Sequence, residues 1–238
     1  MFYLDGISAE EIGLMAEEEN FLSRAPINYE EIQIDGKHGS EFVIKNYQNV
    51  INSLRAFIID KSKIDNVKRM LSGKRTLIFN GRKTMIHFYE TNEISRLGNI
   101  QEINAKYIRD PFWYKENDEY ELCSSTVNNE GNEVSQPIIK LVGTSNTSID
   151  ITINNTRFIY KFDHDNKVEI DCKLQTEKYD GLSKSRNIEI GFEYPYLNPG
   201  VNQIIVHSGS VQVYVKRKDV WLWLNYLNQT PHPFLIMD

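Results

Sequence analysis

The residue groups in this 238-residue chain that carry the right atoms for chemistry stand apart from one another. His207-Ser208-Gly209-Ser210 sets hydroxyls beside an imidazole, the pairing that activates a serine nucleophile. It lacks the G-x-S-x-G elbow that exposes such a serine on a strand-to-helix turn, so it reads as a turn between strands. Residues 163–169, DHDNKVE, carry carboxylates at spacings close to those of a calcium loop. Lys167 stands where a ligand oxygen is needed and the loop glycine is missing, which leaves a hairpin turn. Glu17-Glu18-Glu19 is a run of carboxylates without an aromatic pocket in view, the pattern of a solvated face. The five histidines, at 38, 87, 164, 207 and 232, show no HxH, HExxH or His/Cys pairing. No metal site, Walker loop or dinucleotide fingerprint is expected, hence no cofactor. Cys123 and Cys172 have no CxxC spacing and are too few for a disulfide framework, so both are expected as reduced, buried thiols. The chain is not expected to be an enzyme.

Binding is better served. Tyr194, Tyr196, Trp221 and Trp223 are the rings available for a partner or for a sugar, which needs an exposed aromatic platform beside polar groups. A carbohydrate-binding module for host cell-wall sugar is therefore one reading of the second half. The turn Leu197-Asn198-Pro199-Gly200-Val201-Asn202 has polar groups suited to sugar, but leading the chain into the strand QIIV is its simpler role. After the last clear strand, Trp221, Trp223, Tyr226 and Phe234 follow in VWLWLNYLNQTPHPFLIMD. Such rings either pack back on the parent domain or dock a neighbour, because large rigid side chains give much contact area at low entropy cost.

Composition bounds these choices. Hydrophobic content of 40% with 25% charged residues is close to the globular average. A net charge of −6 and a pI near 5.5 argue against binding nucleic acid, which needs a cationic face to displace counterions. The start, MFYLDGISAEEIGLM, has no cationic n-region followed by an apolar h-region, and no apolar run approaches the ~18 residues of a membrane span. A soluble protein without a secretory signal or membrane contact is expected.

The elements that would position these residues are mostly strands. Around Asp35-Gly36-Lys37-His38-Gly39 the apolar residues alternate loosely, which predicts two strands and a tight connection. Residues 61–73 change period: Ile64, Val67, Met70 and Leu71 share a helical face, with Ser62 expected as the N-cap and Gly73 as the C-terminal cap. Asn80-Gly81 between two apolar runs is a strong hairpin signal. The strand NIQEINAKYI follows and stops at Asp110-Pro111. From there PFWYKENDEYELCSSTVNNEGNEVSQ shows no sustained period. Seven short strands then follow, PIIKLVG, SIDITIN, TRFIYKF, KVEIDCKL, NIEIGFEYP, NQIIVHSG and SVQVYVKRKD, with residues 175–187 expected as an exposed loop. Strands broken by Asn, Gly, Asp or Pro at this spacing predict an antiparallel sandwich. The fold class is thus mainly β: an α+β domain over residues 1–120 with one main helix, and an all-β domain over 121–238.

The order of these motifs carries a resemblance. MFYLDG, IQIDGKHGSEFVIKNY, the helix ending MLSG, the hairpin TLIFNGRKTMIHFYE and the strand ending KYIRDPFWY resemble the N-terminal domain of the distal tail proteins of siphophages that infect Gram-positive bacteria. NEGNEVSQPIIKLVG, SIDITIN and IEIGFEYPYLNPGVNQI resemble that family's C-terminal galectin-like β-sandwich, and the chain after Trp221 extends beyond the family's pattern. The resemblance implies a structural component of the phage tail tip or baseplate, without catalytic residues. It implies a homohexameric ring closed by the N-terminal domains, joining the tail tube protein to the tail-associated lysin or tail fibre protein and anchoring receptor-binding protein. It places the protein at the distal end of the tail in the virion, after assembly in the host cytoplasm.

Overall fold

The computed structural model describes residues 1–17, 21–97, 100–116, 118–191 and 193–222. The chain divides into two compact units, residues 1–113 together with the chain from Leu222 onward, and residues 114–221. Residues 114–120 fall in the second unit, a few residues ahead of the boundary expected at 120/121. Among the described residues no helix is long and apolar enough to cross a membrane.

The first unit runs β1 (Phe2–Leu4), β2 (Ile7–Ser8), α1 (Ala9–Ile12), β3 (Leu14–Ala16), β4 (Ile27–Gln33), β5 (Ser40–Tyr47), β6 (Val50–Ile58), α2 (Ile64–Met70), β7 (Gly73–Phe79), β8 (Arg82–Leu97) and β9 (Ile100–Arg109). Its main sheet is antiparallel in the order β2-β1-β7-β8-β9-β6-β3. Alternation puts Leu54, Ala56 and Ile58 of β6 and Ile103, Ala105 and Tyr107 of β9 on the buried face. Phe21, fully buried, meets the rings of Phe2, Phe79 and Tyr107 at 5.1, 5.8 and 6.1 Å.

The turn Asn80-Gly81 takes φ of 52° and 69°, both positive as the hairpin signal requires. The expected helix forms, but its caps differ. Asp60, not Ser62, accepts from the Ser62 amide at 2.9 Å, and a 3-10 turn at Lys61–Lys63 precedes α2. The helix ends at Leu71, while Gly73 opens β7. Arg75 instead donates to the carbonyls of Arg69 and Met70, at 2.7 and 3.3 Å, and the Ser72 hydroxyl also donates to that of Arg69, at 2.7 Å. The short helix α1 was not expected. Its signature is local all the same: the Ser8 hydroxyl accepts from the Glu11 amide, and the Glu11 carboxylate accepts from the Ser8 amide, a capping box.

Arg109 is fully buried and lies over the Trp113 ring at 4.8 Å. It donates to the carbonyls of Ser23 and Asp110, at 2.7 and 2.8 Å. Burial lowers its pKa to about 10. The two carbonyls satisfy part of a guanidinium that has left water, and they tie the segment ahead of β4 to the end of β9.

In the second unit a short strand at the boundary, β10 (Trp113–Lys115), is followed by β11 (Glu121–Cys123), β12 (Thr126–Asn129), β13 (Ile138–Val142), β14 (Thr147–Ile153), β15 (Thr156–Phe162), β16 (Lys167–Asp171), β17 (Thr176–Tyr179), β18 (Leu182–Ser183), β19 (Ile188–Ile190), β20 (Gly200–Ser208), β21 (Gln212–Lys216) and β22 (Val220–Trp221). The seven expected strands are β13 to β16 and β19 to β21. They belong to two antiparallel sheets, β11-β21-β13-β16-β17-β18 and β12-β20-β14-β15-β19. Ile139, Leu141, Val168, Ile170, Val213 and Val215 of the first share one core with Ile149, Ile151, Ile153, Phe158, Tyr160 and Phe162 of the second. This is the sandwich the strand spacing predicts.

Two stretches differ from expectation. Residues 175–187, expected as a loop, form the hairpin β17–β18 around Asp180-Gly181, with φ of 47° and 79°. The aromatic and charged stretch after Pro111 contributes β10, β11 and β12.

Gly131 closes the polar turn before β13, in NEGNEVSQ. The Asn132 and Glu133 amides donate to the Val220 carbonyl at 3.1 and 3.2 Å, and a Cβ on Gly131 would lie 2.3 Å from that oxygen. Backbone cannot yield there as a side-chain tip would. Gly131→Ala is expected to destabilise the sandwich by roughly 2 kcal/mol, read as a lower urea midpoint for that unit.

Candidate partner-binding surface

The side chains singled out as chemically able do not converge. The His207 imidazole shares a hydrogen bond with the Thr152 hydroxyl (2.8 Å), and Gly209 takes φ 84° in the turn between β20 and β21. Asp165 pairs with Lys184, and the Asn166 carbonyl accepts from Gly143 in the hairpin between β15 and β16. Glu17 pairs with Arg55, while Glu18 and Glu19 lie outside the described residues. Among the described residues no group of three His, Cys, Asp or Glu side chains could hold a metal ion. Cys123 and Cys172 are free, buried thiols, and burial pushes both pKa values up.

The four candidate rings are placed differently. Trp221 is buried at 6% exposure, and Trp223 lies outside the described residues. Tyr194 donates to Glu177, a carboxylate with 0% exposure, and the Tyr194 hydroxyl is pushed up to about 12, first by desolvation and then by that bond. Half-buried Tyr196 gives its carbonyl to the Asn154 side chain at 2.7 Å. The described rings therefore do not make a common exposed platform. The turn between them is braced from within. Asn202, 1% exposed, accepts from the Asn198 amide at 2.8 Å and donates to the carbonyls of Asn198 and Gly200 at 2.9 and 2.7 Å. Gly200 at φ 89° then opens β20. The turn leads into a strand, as its simpler reading held.

What sequence reasoning did not single out is exposed apolar surface on the first unit. The hairpin β4–β5 forms a two-stranded sheet of its own. Tyr29, Phe42 and Ile44 share one of its faces at 57, 62 and 56% exposure, with the two rings edge to face at 5.2 Å. A second exposed surface is the outer face of the main sheet, where Ile51, Met85 and Tyr89 sit among ion pairs of Arg55 with Glu102 and of Lys106 with Glu90. Contiguous exposed apolar surface of this kind marks an interaction site. The missed signal was in the strands themselves: in YEEIQI and EFVIKNY apolar residues occur on both faces, so neither face is polar enough for solvent alone.

Residues 130–221 match the family described as siphovirus-type tail component, C-terminal domain. Among solved structures, the whole chain is similar to the Dit (gp 19.1) protein of phage SPP1, described as a paradigm of hub adsorption apparatus in phages that infect Gram-positive hosts. The TM-score is 0.64 at 15% identity, over 91% of this chain and 98% of that one. A chain of the phage P2 baseplate in its activated conformation with calcium aligns at TM-score 0.40 and 9% identity, over 87% and 91% of the two chains. No curated protein matches the chain by sequence. The family match thus falls on most of the sandwich, and the likeness to the Dit protein is one of fold, over both units.

Within the second unit one carboxylate is out of the ordinary. Asp219 is fully buried, and among the described residues neither of its oxygens has a hydrogen-bond partner. The Arg217 Nε lies 3.3 Å away, and Glu130, Lys115 and Asp118 complete its surroundings. Burial raises its pKa to about 6 against the opposing pull of Arg217. In the unfolded chain the value is about 4. The contribution of its protonation to stability is therefore fully present below pH ~4 and lost as pH rises through 6. Asp219→Asn is expected to gain on the parent by about 2 kcal/mol between pH ~4.5 and pH ~8, measured as the difference between their urea midpoints across that range.

Proposed function

We propose that this chain is a distal tail hub: a structural protein that assembles through its first unit into a homohexameric ring at the end of a siphophage tail. The ring joins the tail tube protein to the tail-associated lysin or tail fibre, and the sandwich anchors receptor-binding or other baseplate proteins. The site of action is the virion of a phage with a Gram-positive host, after assembly in the host cytoplasm. The work is positional, not enzymatic.

The observation that carries this reading is the likeness to the SPP1 hub protein, which runs through both units in chain order, combined with a tail-component domain at 130–221. Physical support comes from the first unit, whose exposed apolar side chains lie on antiparallel sheet surface. Head-to-tail contacts between identical subunits are heterologous and must close into a ring or grow into a filament. Sheet faces and edges offer large, regular surfaces for such closure.

The reading is tested by native mass measurement and negative-stain imaging of the purified chain, alone and mixed with tail tube and tail-lysin proteins of the same phage. Six-subunit rings are the expected result, in either condition. A species that stays monomeric at high concentration with both partners present would overturn it. Substituting Ile51→Asp on the outer sheet face, where the side chain is 71% exposed and no core is disturbed, is expected to leave the melting temperature within a few degrees while weakening ring formation.

A further inference from the structure

The hairpin β4–β5 has two unlike faces. On one, Ile32, Ile34 and Val43 are interleaved with the ion pairs of Lys45 with Glu30 and of Lys37 with Glu41, the pattern of a face that stays in water. On the other, Tyr29, Phe42 and Ile44 are more than half exposed, and Glu31, opposite Phe42, is the charge beside them. A lone two-stranded sheet in water is marginal, and neither strand pairs with any other among the described residues. The hairpin is held at its base all the same. There the Gln48 amide donates to the Pro26 carbonyl at 2.8 Å, and fully buried Leu222 packs with Ala25 and Val50, with Tyr47 against them. A fixed element thus presents one apolar face that needs a cover.

The same unit carries a surface that matches it. On the outer face of the main sheet, Ile51, Ile108, His87 and Lys74 stand in one row across β6, β9, β8 and β7. Lys83, Ile78 and Tyr3 stand in another across β8, β7 and β1, with Met85 between the rows. This face is apolar like the hairpin's but of opposite charge. On the hairpin, Glu30, Glu31, Asp35 and Glu41 outnumber Lys37 and Lys45. On the described outer face of β6 to β9, Arg55, Lys74, Lys83 and Lys106 outnumber Glu90 and Glu102. The sizes agree as well: β4, of 7 residues, reaches about 23 Å, and five adjacent strands are about 19 Å across. Tyr29 and Phe42 are exposed in the chain that also exposes Ile51 and Met85, so the hairpin does not cover its own sheet.

We propose that the Tyr29, Phe42 and Ile44 face of the hairpin docks on the outer sheet face around Met85 of a second copy. Because the two surfaces differ, the contact is head-to-tail: each copy gives a hairpin to one neighbour and receives one from the other, as a closed ring requires. Charge sets the direction, since hairpin on hairpin or sheet on sheet would bring like charges together. The proposal rests on the hub reading and names the surfaces that close its ring.

The test uses Phe42→Lys on the hairpin and Met85→Glu on the sheet, both at exposed positions, so each variant is expected to melt within a few degrees of the parent. If Phe42→Lys melts early, Ile44→Lys takes its place. In the condition where the parent forms rings, each variant alone is expected to need at least about tenfold more protein to assemble, because lysine then meets a cationic face and glutamate an acidic hairpin. Mixed one to one, the two variants are expected to assemble as the parent does, in rings that alternate the two chains, since every contact is then either unaltered or a lysine on a glutamate. Variants that each form rings as the parent does overturn the proposal and leave the hub reading standing. So do variants that fail alone and fail again when mixed. A parent that stays monomeric with its tail partners overturns both.

Discussion

Each sheet in this protein must have at least one face removed from water, and most of the architecture follows from how that requirement is met. The backbone hydrogen bonds of a sheet are made within the sheet, so they do not say what covers it. The side chains do, because apolar area left in water forfeits about 25 cal/mol per Å². In the sandwich, two sheets cover one another, and Ile139, Leu141, Ile151 and Tyr160 lie in one shared core. In the first unit the main sheet is covered on one side by elements that include the Phe21 loop and the two short helices, and the other side keeps Ile51, Met85 and Tyr89 exposed. The hairpin β4–β5 has no described cover at all.

Buried polar groups show a second constraint, that of keeping loops in one place. Asn129 and Asn202, each 1% exposed, bond mainly to backbone: Asn129 donates to the carbonyls of Glu133 and Leu197 at 3.0 Å, and Asn202 bonds around the turn at 198–200 while also accepting from the Asn154 side chain at 2.6 Å. Arg109 does the same in the first unit with the Ser23 carbonyl. Each fixes a loop that leaves a sheet. Asp219 is the exception, a buried carboxylate whose oxygens lack hydrogen bonds, and its raised pKa is the physical record of that environment.

Much of the fold was legible because its determinants are local. Asn80-Gly81 specified a turn with two positive φ angles, and the seven strands of the sandwich were marked by their own β-branched runs. The hairpin β17–β18 carries the same signal in Asp180-Gly181, but Lys178 and Lys184 flank it and the apolar runs are too short to stand out. The capping box at Ser8 and Glu11 was likewise present in four letters and overlooked, since a helix of one turn leaves no periodic stripe. The candidate surface was less legible. Tyr194 and Trp221 look like exposed rings in a string of letters, yet one is hydrogen-bonded to a buried carboxylate and the other is packed away.

By itself, the sequence determined the strand content, most turn positions and the order of two units, because alternation and positive φ are properties of neighbours along the chain. Tertiary structure alone decided which apolar residues are buried and which remain exposed on the β4–β5 hairpin and the outer sheet face. It also decided that residues 130–221 share one core with the strands that precede them, and that Leu222 returns to the base of the hairpin. Burial is a sum over residues far apart in the chain, and no local pattern contains that sum.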